Sequence, residues 1–165
     1  MSSVSYIRRP NRLGKLISTP GGRKLGEAVA TAHANLETLR PGMMQEIDEA
    51  LEHLRAAAAR TDAAARAEVY KCANAIVSFA GLCGMKRLGD VAYNLCELSD
   101  RYIESGRWNE AAIGAHIQTM GVLRMANLPE DSPEAEAVME GLKTLVKKAE
   151  EKAAAEAAAA QAASQ

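Results

Sequence analysis

Residues 70–95 read YKCANAIVSFAGLCGMKRLGDVAYNL, and their spacing decides the fold. With Val69 just before, the residues Cys72, Ala73, Ile76, Phe79, Ala80 and Cys83 recur at helical intervals, as on a helix with one buried face. Gly84 then acts as a stop, because glycine readily takes the conformation that follows a helix end. A second helix buries Leu88, Ala92, Leu95, Leu98 and Tyr102 and stops at Gly106. Cys72, Cys83, Phe79 and Leu95 are expected inside. The far side of the first helix is unusual. At roughly 100° per residue, Asn74 lies nearly opposite Ile76, and Ala67, Tyr70, Lys71, Ser78 and Gly81 share its outward side. A bland surface more often carries Glu, Lys and Arg. Small side chains leave the backbone accessible to something large.

The rest of the chain extends this helical reading. Aromatic residues make up 4% of the 165, and β-branched residues are sparse beside Ala, Leu, Glu, Arg and Lys, so the expected class is all-α. Thr19 and Pro20 suit a helix start, and Leu25, Val29, Ala32, Leu36 and Leu39 follow at helical spacing. The RPG at 40–42 predicts a break, after which Ile47, Leu51, Leu54 and Ala58 share a face. Thr61 or Asp62 can cap the helix that follows. A further helix runs from about Trp108 to Met125 with Ile113, Ile117 and Met120 inside. NLPEDSP is a linker. Ser132 and Pro133 then open a last helix with a stripe of Val138, Leu142, Leu145 and Ala149, ending in an Ala-rich tail expected to fray or project. Short connections imply antiparallel neighbours. The expected organisation is a basic flexible arm at 1–18, a helical bundle at 19–127, and an amphipathic to Ala-rich C-terminal helix at 132–165.

Charge and motifs exclude several functions. A net charge of -1 favours neither nucleic acid nor a membrane surface. Arg8, Arg9, Arg12, Lys15, Arg23 and Lys24 nonetheless precede any acidic residue, so the arm is a second interaction candidate beside the plainer reading of a disordered tail. Cys72, Cys83 and Cys96 form no C-x-x-C pair and read as buried, reduced thiols of a cytoplasmic protein. His33, His53 and His116 lie beside apolar stripes on separate helices and read as boundary residues, with no metal set and no cofactor implied. No catalytic triad, P-loop or dinucleotide fingerprint is present. The expectation is a protein that is not an enzyme.

The frame from Asn74 to Leu88, NAIVSFAGLCGMKRL, resembles the histidine-containing phosphotransfer (HPt) domain of two-component signalling. In that family a bundle helix exposes a phosphoryl-accepting His, with Lys three positions on, Gly four on and a further Gly about ten on. Here Gly81, Gly84 and Leu88 fit, and the surrounding helices extend the likeness over roughly residues 43–125. Asn74 stands at the acceptor position, Val77 at the Lys and Ser78 at the Gly. An amide nitrogen is not a nucleophile, because its lone pair is delocalised into the carbonyl; a neutral imidazole nitrogen is one. The resemblance therefore implies an antiparallel four-helix bundle with extra N- and C-terminal helices and no transfer chemistry. It also implies an adaptor that binds a response-regulator receiver domain or a histidine kinase in a bacterial two-component or chemotaxis pathway, as a chemotaxis accessory protein would. Asn74 is then a pseudo-phosphoacceptor. Tyr70, Lys71, Val77, Ser78, Gly81, Lys86 and Arg87 surround it, the cations facing the acidic pocket of a receiver. Plainer readings stand beside this one. Asn74 is equally an exposed polar residue, Gly81 a site of close helix packing, and the cations ordinary surface charges. An active phosphotransfer protein using His116, or a structural or oligomerisation module built on the C-terminal helix, are the alternatives. No motif sets the oligomeric state.

Overall fold

The computed structural model describes residues 12–18, 20–126, 128 and 131–163. Every regular element among them is a helix: α1 (Arg12–Ile17), α2 (Leu25–Ala58), α3 (Ala63–Ala80), α4 (Lys86–Ser105), α5 (Glu110–Ala126) and α6 (Pro133–Ala163). The chain divides into two compact units, Met1–Thr38 and Leu39–Gln165.

In the first unit, residues 12–17 are helical where an irregular arm was expected, and none of them is buried. Residues 1–11 of that arm lie outside the described residues. The stripe of Leu25, Val29 and Ala32 is helical as its spacing predicts, yet exposed.

The second unit holds the core. The expected break at residues 40–42 is absent, and α2 continues through Pro41. Proline removes one backbone donor, at a cost of about 3 kcal/mol in a helix interior. The turns that follow bury Met43, Ile47, Leu51 and Leu54, each contributing about 1.5–3 kcal/mol, and that is enough to carry the helix on. Arg40 adds an anchor, its Nη2 donating to the Cys83 carbonyl at 2.7 Å.

Contacts between helices set their directions. Arg124 of α5 grips Asp48 of α2 through two bonds of 2.7 Å, while Arg55 of α2 lies over Gly121, so α2 and α5 run antiparallel. A Cβ added at Gly89 of α4 would meet the Ala80 Cβ of α3 at 3.4 Å, and the Cys96 thiol approaches the Tyr70 carbonyl, so α3 and α4 are antiparallel too. Asn109 caps α5 through the Ala112 amide and donates to the Ala149 carbonyl at 3.0 Å, holding α6 beside α5. The largest fully buried side chains include Ile47, Leu54, Ile76, Leu88, Leu95 and Ile113, drawn from α2 to α5.

Helix ends follow from their sequence. Asp62 caps α3 by accepting from the Ala65 amide at 2.9 Å, and Ser132 caps α6 by accepting from the Ala135 amide at 3.1 Å. Gly106 closes α4 in the left-handed conformation, with φ of 67°. Some expected core positions differ. Phe79 and Tyr102 are half-buried, and Leu145 of α6 is exposed; Ala135, Met139 and Leu142 take the buried side of α6. The α6 stripe is thus rotated by about one position from the one read in sequence. The Ala-rich tail is helical through Ala163. Cys72, Cys83 and Cys96 are free and buried, and burial pushes the Cys96 thiol up to about 11. No helix among the described residues is long and apolar enough to cross a membrane.

Candidate functional site

Helix α3 has two unlike sides because its apolar residues return every three or four positions. Val69, Ala73, Ile76 and Ala80 are fully buried. Opposite them, Tyr70, Asn74, Ser78 and Gly81 are exposed, and Val77 is half-buried at the flank toward α4. The Ser78 hydroxyl donates back to the Asn74 carbonyl at 2.9 Å, so it is spent on its own helix. The Asn74 side-chain amide makes no hydrogen bond among the described residues and presents donor and acceptor outward.

Gly81 separates the two readings of this face. A Cβ there would meet nothing within 4 Å, and its φ of -63° suits any residue. Neither crowding nor backbone strain calls for glycine. The glycine that permits close helix approach is Gly89, against Ala80. The small outer stripe of α3 is therefore open surface and not an internal packing seam.

The cations fall in three different places. Lys71 is exposed on the flank toward α2, 3.6 Å from Glu68. Lys86 stands at the start of α4 and pairs with Asp90 at 3.3 Å. Exposed pairs of this kind are worth at most about 1 kcal/mol and rearrange readily when a partner arrives. Arg87 differs: it is more covered, turned toward α6, and bound to Glu136 at 2.8 Å. The structure thus brings Tyr70, Asn74, Val77, Ser78 and Gly81 onto one face, sets Lys71 and Lys86 on its margins, and leaves Arg87 on another side of α4.

Two residues of this surface escaped the sequence reading. Tyr93 of α4 is 53% exposed and within electrostatic reach of Tyr70, and its phenol is held above its usual range first by a hydrogen bond to Glu97. Its signal was its place two helical turns after Lys86. Leu82, also 53% exposed, sits in the turn beside Gly81. Aromatic side chains are enriched where proteins meet.

Asn74 offers no nucleophile, and among the described residues no group of three His, Cys, Asp or Glu is placed to hold a metal ion. Compared with known proteins, the chain matches no family model, no curated protein and no solved structure. The histidines are dispersed: His33 and His53 are exposed, whereas His116 is 4% exposed, well inside the boundary position expected of it. Its Nδ1 lies 2.8 Å from the Ala112 carbonyl, and burial pushes its pKa below the usual value.

Proposed function

We propose that the chain is a non-catalytic HPt-like adaptor that binds a receiver domain or a histidine kinase through the outer face of α3. On this reading α2 to α5 form an antiparallel four-helix bundle, with α1 and α6 added at its ends. Asn74 takes the place of the phosphoacceptor His. The bacterial cytoplasm, in a two-component or chemotaxis pathway, is the setting the resemblance implies.

One observation carries the reading. The stripe of Asn74, Ser78 and Gly81 is small with no reason for it among the described residues, none of which comes within 4 Å of a Cβ at Gly81. Tyr70 and Tyr93 supply apolar contact at its side, and Lys71 and Lys86 supply positive charge at its margins. Two further observations weigh against the alternatives. Phosphoryl transfer to His116 needs a ring that another protein can reach, and His116 is buried. An oligomerisation seam on α6 needs a free apolar stripe, and Ala135, Met139 and Leu142 are already packed within the chain.

The test is retention of purified receiver domains and histidine kinases on the immobilised protein, followed by a phosphorylation assay. The adaptor reading expects retention with no transfer of label to the chain. Acid-labile, base-stable label on the protein contradicts it.

A further inference from the structure

A cleft of about 330 Å³ lies between α4, α5 and α6, away from the Asn74 face. Its apolar lining is Leu98 of α4 with Met139, Leu142 and Val146 of α6. His116 of α5 also lines it. The Ala112 carbonyl can only accept, so His116 Nδ1 carries the hydrogen and donates to it. The ring is neutral, because burial disfavours the cation. Its Nε2 is then a lone-pair acceptor without a hydrogen-bond partner among the described residues, and it is not sealed from solvent.

The mouth of the cleft is lined by charged residues. Lys143 is paired with Glu140, Lys147 lies 3.9 Å from Glu151, and Glu150 accepts from the Tyr102 hydroxyl. Glu97 is engaged by Tyr93. Arg101 has no ion-pair partner among the described residues. The cleft thus combines an accessible imidazole acceptor, an apolar wall and a guanidinium suited to a carboxylate. Its volume is near the lower end of small-molecule sites, which run from about 300 to 1,000 Å³. That fits a single ring or a short chain and not a nucleotide.

We propose that this cleft binds a small hydroxylated organic acid: its carboxylate meets Arg101, its apolar body lies along Leu98, Met139, Leu142 and Val146, and its hydroxyl donates to His116 Nε2. The inference does not depend on the adaptor reading, because it uses none of the residues of the α3 face. The bound acid bridges α4, α5 and α6, so it also fastens α6 to the helices beneath it.

The probe is 4-hydroxyphenylacetate, titrated into the full chain with ¹⁵N-labelled histidine while the imidazole nitrogens are followed by NMR at neutral pH. The expected result is a saturable shift of the His116 Nε2 resonance. Phenylacetate, which lacks the hydroxyl, and tyramine, which replaces the carboxylate by an ammonium, bind more weakly. Arg101→Ala, an exposed change that leaves the core intact, weakens the acid about tenfold, as loss of a hydrogen bond to a charged group does. Absence of a saturable His116 shift up to about 10 mM probe, far above the dissociation constant of a well-fitted small ligand, overturns the proposal. Equal binding of the three probes, or an unchanged affinity in Arg101→Ala, overturns it as well.

Discussion

The two long sides of α3 are built to different tolerances. On the inner side, Val69, Ala73, Ile76 and Ala80 are fully buried, and Ala80 meets Gly89 of α4 closely enough that one added carbon reaches van der Waals contact. On the outer side, Ser78 and Gly81 are about as small as Ala73 and Ala80, yet both are exposed, and a Cβ at Gly81 meets nothing within 4 Å among the described residues. Small size inside is enforced by packing density. Small size outside has no cause among the described residues, and a cause beyond the chain is what the docking reading supplies.

The largest expected effect is on the inner side. Ile76→Ala leaves a cavity and costs about 2–5 kcal/mol, read from denaturant unfolding. A cost near zero would mean that α3 is rotated from the phase described, and the outer face would move with it. The two glycines then sharpen the contrast. Gly89→Leu must displace Ala80 or its neighbours and costs about 1–3 kcal/mol. Gly81→Leu changes stability by no more than about 0.5 kcal/mol. Equal costs for the pair would erase the distinction between seam and open face.

Two smaller effects probe the buried polar groups. His116 is held neutral, with its folded-state pKa below the unfolded value of about 6.5. Between those values the unfolded chain binds more protons, so stability is full above about pH 6.5 and falls as the pH drops below it. Melting temperatures measured at steps from neutral to mildly acid pH should show this loss, and His116→Leu should flatten it. A wild-type slope unchanged in His116→Leu would assign the titration to another group. Ser99 is fully buried and its hydroxyl lacks a partner among the described residues, so Ser99→Ala should cost about 1 kcal/mol or less and can stabilise. A loss well above that would reveal a bond that Ser99 makes.

Helices, caps and the inner stripes of α3, α4 and α5 were legible because each depends on residues close together in sequence. Ser132 with Pro133, and Gly106, end or begin helices by local hydrogen bonding and backbone preference alone. Burial was less legible. Leu25, Val29 and Ala32 repeat as regularly as Ile47, Leu51 and Leu54, yet the first set is exposed and the second buried, since periodicity reports a helix and not what covers it. Pro41 misled for a related reason: a lost donor is a local cost, and the turns after it are held by distant contacts. In α6, Leu145 and Val146 compete for one position, and only the surfaces of α4 and α5 decide between them. The cleft around His116 was invisible in sequence, because Arg101, His116 and residues 139–150 meet only after three helices have packed. On the candidate face, Asn74, Ser78 and Gly81 could be read outward from helical phase alone. Arg87 could not be separated from Lys86 without its partner on α6.

The most direct test of the account is the affinity of the wild-type chain and of Ser78→Trp for a receiver domain or histidine kinase that the wild type retains, measured by calorimetric titration beside thermal unfolding of both proteins. The account predicts that the indole leaves unfolding unchanged and lowers affinity at least about tenfold, a loss of about 1.4 kcal/mol or more. Retention of no receiver or kinase by the wild type, or full affinity in Ser78→Trp, would contradict it.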